Sequence, residues 1–187
     1  MMDNLTIKAV EEAYHLGFPT DAEAILIIEL DGLKDGMERL TERIMDVCRI
    51  HKVREIRVAR DQAERDNIWA GRKGAFGAVG RLRPNYLVND GTVPRTRLPE
   101  TLAGVVAIGK KHNLSIANVF HAGDGNLHPL ILFDERDKDE LARVRVAATE
   151  IMKLCADMGG TISGEHGIGA EKLQGMPLVC SLYDLAA

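Results

Sequence analysis

The sequence predicts an α+β fold, an antiparallel sheet with helices packed on one face. Three observations lead there. A tight hairpin sits in the second half of the chain, where Val119 and Phe120 lead in and Leu130 to Phe133 lead out. Asp124-Gly125 between them is the signature of a two-residue type I′ turn. Helical runs alternate with short apolar segments elsewhere, and no long linker or internal repeat interrupts them. A hairpin argues against an all-parallel sheet, and the mixed order argues for α+β.

Each element has its own warrant. Leu5 to Leu16 has helical apolar spacing and is closed by Gly17. Ala24 to Leu30 is a nearly continuous apolar run, which predicts a buried strand. Leu33 to His51 repeats apolar residues at helical intervals through Met37, Leu40, Ile44, Val47 and Cys48. Val53 to Ala59 reads as a short strand, after which Asp61 caps a helix through Trp69 and Arg72. Tyr86 to Val88 suggests a strand and Pro99 to Lys111 a helix. The hairpin follows, then a helix from Asp137 to Met158, then a glycine-rich segment.

Bulk properties exclude several function classes. The chain of 187 residues is long enough for a sizeable core as one domain. A net charge of −4 and a pI near 5.9 give no electrostatic case for nucleic acid or anionic lipid. No segment approaches the roughly 20 apolar residues of a membrane span, and no charged-then-apolar leader opens the chain. Cys48, Cys155 and Cys180 are odd in number and far apart, which favours buried thiols in a reducing cytoplasm over disulfides or metal ligation.

The hairpin carries chemistry as well as topology. With Asp124-Gly125 as the turn, His121 lies directly opposite His128. Opposed residues share a sheet face with Cβ atoms roughly 4.5–5.5 Å apart, close enough for two imidazoles to share a metal. A slip of one residue would break the pairing. A second cluster lies in Gly159 to Gly169, where glycines crowd around Glu165-His166 and imply sharp turns or close approach to a ligand. Glu165 suits a third, oxygen ligand beside His121 and His128. That set fits zinc, manganese or ferrous iron with positions left open for substrate. On extended backbone His166 would point away from Glu165. With a twist it would reach substrate, and a histidine beside a cation stays neutral and able to act as a base. His15, His51 and His112 have no such context and read as solvated or capping residues.

The segments Asn118 to Pro129 and Gly159 to Gly169 resemble the two signatures of the C-terminal domain of the FAD-linked oxidases. That family includes the flavin subunit of glycolate oxidase, D-lactate dehydrogenase and D-2-hydroxyglutarate dehydrogenase. Gly17 to Asp21, Ala24 to Gly32 and Trp69 to Lys73 resemble it in the same order, so the likeness runs from about residue 3 to about residue 173. It implies a ferredoxin-like arrangement, with a free sheet face that roofs a flavin and presents the metal site. It also implies that His121, His128 and Glu165 bind a divalent ion, His166 removes the substrate hydroxyl proton, and Arg72 binds the substrate carboxylate. It implies as well that Asn126, inside the first signature, lines the same pocket. Without the resemblance, Arg72 would read as one of a basic surface run with Arg65, Lys73, Arg81 and Arg83.

The same resemblance implies FAD held mainly by a separate N-terminal domain. No Gly-x-Gly-x-x-Gly opening a helix after a strand and no Walker-type loop occurs here. The family usually continues beyond Glu171-Lys172 to an Asn-Pro-Gly-Lys segment, whereas this chain reads Leu173 to Ala187. Residues 1–187 are therefore expected to be the substrate and metal domain of a larger enzyme, without its flavin domain and final segment. The function expected is oxidation of a 2-hydroxy acid to a 2-oxo acid with hydride transfer to FAD. The partners expected are the 2-hydroxy acid, the FAD-binding domain and an iron–sulfur subunit as in glycolate oxidase, in the cytoplasm or peripheral to a membrane. A non-catalytic metal-binding or interaction module of the same fold is the alternative. A zinc hydrolase using Glu165 as base is a more distant one.

Overall fold

The computed structural model describes residues 1–33, 35–181 and 184. Its elements in chain order are β1 (Met2–Asp3), α1 (Asn4–Tyr14), β2 (Ala24–Ile25), α2 (Met37–Ile50), α3 (Gln62–Val79), β3 (Asn85–Val88), β4 (Gly91–Thr92), α4 (Leu98–His112), β5 (Ser115–His121), β6 (Asn126–Phe133) and α5 (Lys138–Asp157). Short 3₁₀ turns cover Arg95–Arg97 and Leu173–Leu178. Lys34, within the helix expected over 33–51, and most of the tail beyond Ser181 lie outside the described residues.

Every strand pairing is antiparallel, and the sheet runs β2-β1-β5-β6-β3 with β4 also on β6. The α+β class and the open antiparallel sheet are as the sequence predicts. Helices, however, cover both faces. Ala117, Val119, Leu130 and Leu132 pack with α1 and α3 through Ile7, Val10, Ala75 and Val79. Ile131 and Phe133 point the other way, into α4 and α5 through Val105, Val144 and Ile151. Neighbouring residues of β6 thus enter different cores, all eight of its residues are buried, and no free face is left there to roof a flavin.

Three helices begin at aspartate caps, as expected at Asp61, whereas α2 and α4 have no side-chain cap. Asp3 accepts from the Thr6 amide, Asp61 from the Glu64 amide, and Asp137 from the amides of Asp139 and Glu140. Two expected strands are absent or curtailed. Residues 53–59 form no strand, and only Ala24–Ile25 of the apolar run pairs, leaving Leu26 and Ile28 about half exposed. Helix α2 forms over most of its expected span but buries none of its residues. All three cysteines are free thiols, and of them only Cys155 is buried. No described helix is long and apolar enough to cross a membrane.

Candidate metal and substrate site

The hairpin differs from the two-residue turn expected. A type I′ turn needs positive φ at both central residues, and of Asp124 and Gly125 only Gly125 has it, at 76°. Its carbonyl also accepts from the Val93 amide, which ties it to the strand connection alongside. The loop therefore takes four residues, Ala122 to Gly125, and the register becomes His121 opposite Asn126 and Val119 opposite His128. His121 and His128 are diagonal neighbours rather than directly opposed. They still share a face, because residues two apart on a strand point the same way. Their rings lie edge to face with centroids 5.4 Å apart.

The other edge of β6 completes the floor. β3 and β4 pair with β6 in one unbroken register, Asn85 with Phe133 through Thr92 with Asn126. Asp90, between them, therefore stands opposite His128 on the same face. Its side chain is fully buried, with Oδ1 3.7 Å from His128 Nδ1.

Beyond α5 the chain runs beside β4, held by paired hydrogen bonds between Thr92 and Thr161. It then bends over residues 164–166. Asp90 fastens this bend: Oδ2 accepts from the Ser163 hydroxyl at 3.0 Å, the Gly164 amide at 3.0 Å and the His166 amide at 2.8 Å. The Glu165 amide reaches both oxygens. The Lys172 ammonium, itself buried, lies 3.3 Å from Oδ2. Burial alone would raise the Asp90 carboxyl. The amides of His166 and Glu165, the Ser163 hydroxyl and the Lys172 charge outweigh burial and hold it well below the usual carboxylate range.

Because the backbone bends, Glu165 and His166 converge instead of pointing apart. Glu165 Oε1 is 3.5 Å from His121 Nε2 and Oε2 is 3.7 Å from His128 Nε2. One ligand atom from each of His121, His128 and Glu165 falls within 4.8 Å of the others. The His166 ring stacks on His128 at 5.1 Å with planes 9° apart. Helix α3 closes the remaining side, bringing Phe76 to the edge of His128 and Arg72 Nη2 to 3.4 Å from His121 Nε2. Arg72 is half-buried and its guanidinium pKa is lowered by that burial, against the opposing Glu165 charge. Two other members of the basic run face outward instead, Arg65 paired with Glu29 and Arg83 with Glu140. Asn126 is buried with its Oδ1 unpartnered among the described residues, and Gly164 presses against it. Burial lowers the His128 pKa, against the pull of the Asp90 and Glu165 charges.

The donor set passes the test for a divalent ion. Two imidazole nitrogens and a carboxylate converge, His121 and Glu165 are exposed on the open side, and His128 is anchored beneath them. Such a set suits zinc, manganese or iron with coordination positions left for substrate.

The sequence model of a family described as "FAD linked oxidases, C-terminal domain" matches residues 1–181. The chain belongs to this family. It is 51% identical over 176 residues to glycolate oxidase subunit GlcD of Escherichia coli (strain K12), covering 94% of this chain and 35% of that protein. It is 37% identical over 171 residues to glycolate oxidase subunit GlcD of Bacillus subtilis (strain 168), covering 91% and 36%. A probable mitochondrial D-lactate dehydrogenase of Danio rerio is 30% identical over 173 residues, covering 91% and 34%. The chain thus spans little more than a third of the length of these relatives.

Within this family fold, all six residues singled out from sequence (Arg72, His121, Asn126, His128, Glu165 and His166) fall in one neighbourhood. Asp90 and Lys172 escaped notice. Asp90-Gly91 reads as a turn dipeptide, and only the pairing of β3 and β4 with β6 shows that it faces a histidine.

Proposed function

We propose that this chain is the substrate- and metal-binding part of a flavin-dependent 2-hydroxy acid dehydrogenase of the glycolate or D-lactate type. The reaction is oxidation of a 2-hydroxy acid to a 2-oxo acid, with hydride transfer to FAD held mainly by a domain outside this chain. The observation that carries the reading is the convergence of His121, His128 and Glu165 beside Arg72 and His166, at one open end of the sheet.

Each residue has a task in that chemistry. A divalent ion held by His121, His128 and Glu165 would polarise the substrate hydroxyl and fix its orientation. Arg72 offers a planar fork that fits a carboxylate in two hydrogen bonds, a geometry a lysine lacks. His166 is exposed at the rim, where its ring can take the hydroxyl proton. Asn126, buried between the hairpin and Gly164, lines the floor and keeps there an acceptor that is unpartnered among the described residues. An iron–sulfur subunit as a partner, and a cytoplasmic or membrane-peripheral location, belong to the same proposal.

The test is elemental analysis of the purified chain beside His121→Ala and Glu165→Ala. A stoichiometric divalent ion in the wild type, lost from both variants while their circular dichroism is unchanged, is the expected result. A wild-type chain that stays metal-free after incubation with zinc and with manganese overturns the metal site.

A further inference from the structure

We propose that Asp90 is the positioning residue of this site, holding His128 with its proton on Nδ1 and its Nε2 lone pair free, and tying Glu165 and His166 to that ring. The inference deepens the metal reading and rests on it for the ion, but not for the state of the ring.

Cross-strand register is the first support. Asp90 faces His128 directly, so the two side chains meet without any loop having to place them. The second is an imbalance in what surrounds them. His128 Nδ1 is buried and has no hydrogen-bond partner among the described residues, and Asp90 Oδ1 is the acceptor facing it at 3.7 Å. Oδ2 is crowded by the Ser163 hydroxyl, by amides and by Lys172, whereas Oδ1 takes only the Glu165 amide at 3.2 Å. Oδ1 therefore has a lone pair to spare on the side of the imidazole. At 3.7 Å the contact is longer than a hydrogen bond and acts on the ring electrostatically.

A neutral imidazole carries one N–H. Each ring nitrogen faces a carboxylate oxygen at 3.7 Å, Asp90 Oδ1 at Nδ1 and Glu165 Oε2 at Nε2. Asp90 is fully buried whereas Glu165 is half exposed and screened by water, so an N–H is drawn more strongly to Asp90 and the proton belongs on Nδ1. Nε2 is then left unprotonated toward Glu165 and His121, which is what ligation needs. The remaining capacity of the same carboxylate holds the amides of Gly164, Glu165 and His166. One group thereby sets the spacing between the hairpin ligands and those of the glycine-rich segment, 75 residues further along from Asp90 to Glu165. Lys172 supplies the countercharge that keeps Asp90 an acceptor.

The first measurement is a long-range ¹H–¹⁵N spectrum of the chain labelled at histidine, with His128 assigned by substitution. The Nδ1–H tautomer is expected for His128, and an Nε2–H tautomer overturns the proposal with no variant needed. The second uses Asp90→Asn, whose amide N–H can face Nδ1. His128 should switch to the Nε2–H form, and zinc affinity by calorimetry should fall about 10- to 100-fold. A folded Asp90→Asn chain with wild-type tautomer and wild-type zinc affinity would mean that Asp90 is only a structural anchor. A wild type that binds no zinc but shows the Nδ1–H form, switched in Asp90→Asn, sinks the metal reading and supports the orienting role.

Discussion

At Gly160 the chain passes so close to β4 that an added Cβ would lie 1.7 Å from the carbonyl oxygen of Thr92 and 2.9 Å from Val93 Cα. Both obstacles are backbone, so neither can move aside cheaply. Gly160→Ala is expected to cost about 1–3 kcal/mol, the range of a small overpacking change. It should also weaken zinc binding, because Thr161 to His166 would lose their footing beside Thr92 and Asp90. Urea denaturation with an unchanged m-value measures the first effect. A loss within about 0.5 kcal/mol would show that the segment accommodates a methyl group. The glycine density of 159–169 was legible as close backbone approach, though not what it approaches. The histidine pair was legible for a sturdier reason. A four-residue loop in place of a two-residue turn shifts the register by two, and a shift of two preserves which side chains share a face. Asp90 was not legible, since five of its six partners lie 73 to 82 residues away and only folding brings them together.

Among the elements, α3 positions Arg72, and its start shows how local sequence fixes a helix that serves the site. Asp61 caps the Glu64 amide, while the Glu64 carboxylate accepts from the Arg60 amide and pairs with the side chains of Arg60 and Arg57. The Arg60 amide, then the Arg60 and Arg57 side chains, pull the Glu64 pKa down to about 2. A carboxyl depressed on folding adds stability that is full above its unfolded value of about 4.3 and is lost as pH falls toward the folded one. Glu64→Gln should therefore lower the melting temperature at neutral pH, with the gap from wild type narrowing between about pH 4.3 and about pH 2. A gap constant over that window would mean that the carboxylate charge contributes nothing. Helices with an aspartate cap had starts readable to within a residue or two, because the cap and the first periodic residues sit in the same short stretch, whereas α3 runs on to Val79, beyond the Trp69 and Arg72 that marked it in sequence. Strands 24–30 and 53–59 were misread. An apolar run becomes a strand only if another strand pairs with it, and residues 26–30 and 53–59 are left unpaired. Short-range pattern carries no information about that.

For the whole molecule, the expected single helical layer gave way to two, and the reason was already present in β6. Leu130-Ile131-Leu132-Phe133 does not alternate, and a strand apolar at every position is one covered on both faces. The two helix-covered cores meet at β5 and β6, a third cluster of Val93, Phe120, Leu127 and Cys155 lies beside them, and the histidines occupy the end of the strands where the α1–α3 core gives out. Stability should therefore be unevenly distributed. Helix α2 buries no residue, Ile50 at its end is 74% exposed, and among the described residues the helix packs closely against no other element. Its hydrogen bonds are guarded only by its own turns, and a 14-residue helix without tertiary support is marginal in water. Native-state hydrogen exchange should find α2 amides opening at little free-energy cost, at least about 100-fold faster than the buried amides of β5 and β6, which approach the global unfolding limit. In the isolated chain, Asp90, His128 and the ligands beside them would then stay ordered while the helix over 37–50 frays. Protection of α2 equal to that of β6 would show that something in solution covers its apolar side and that this chain folds as one cooperative unit.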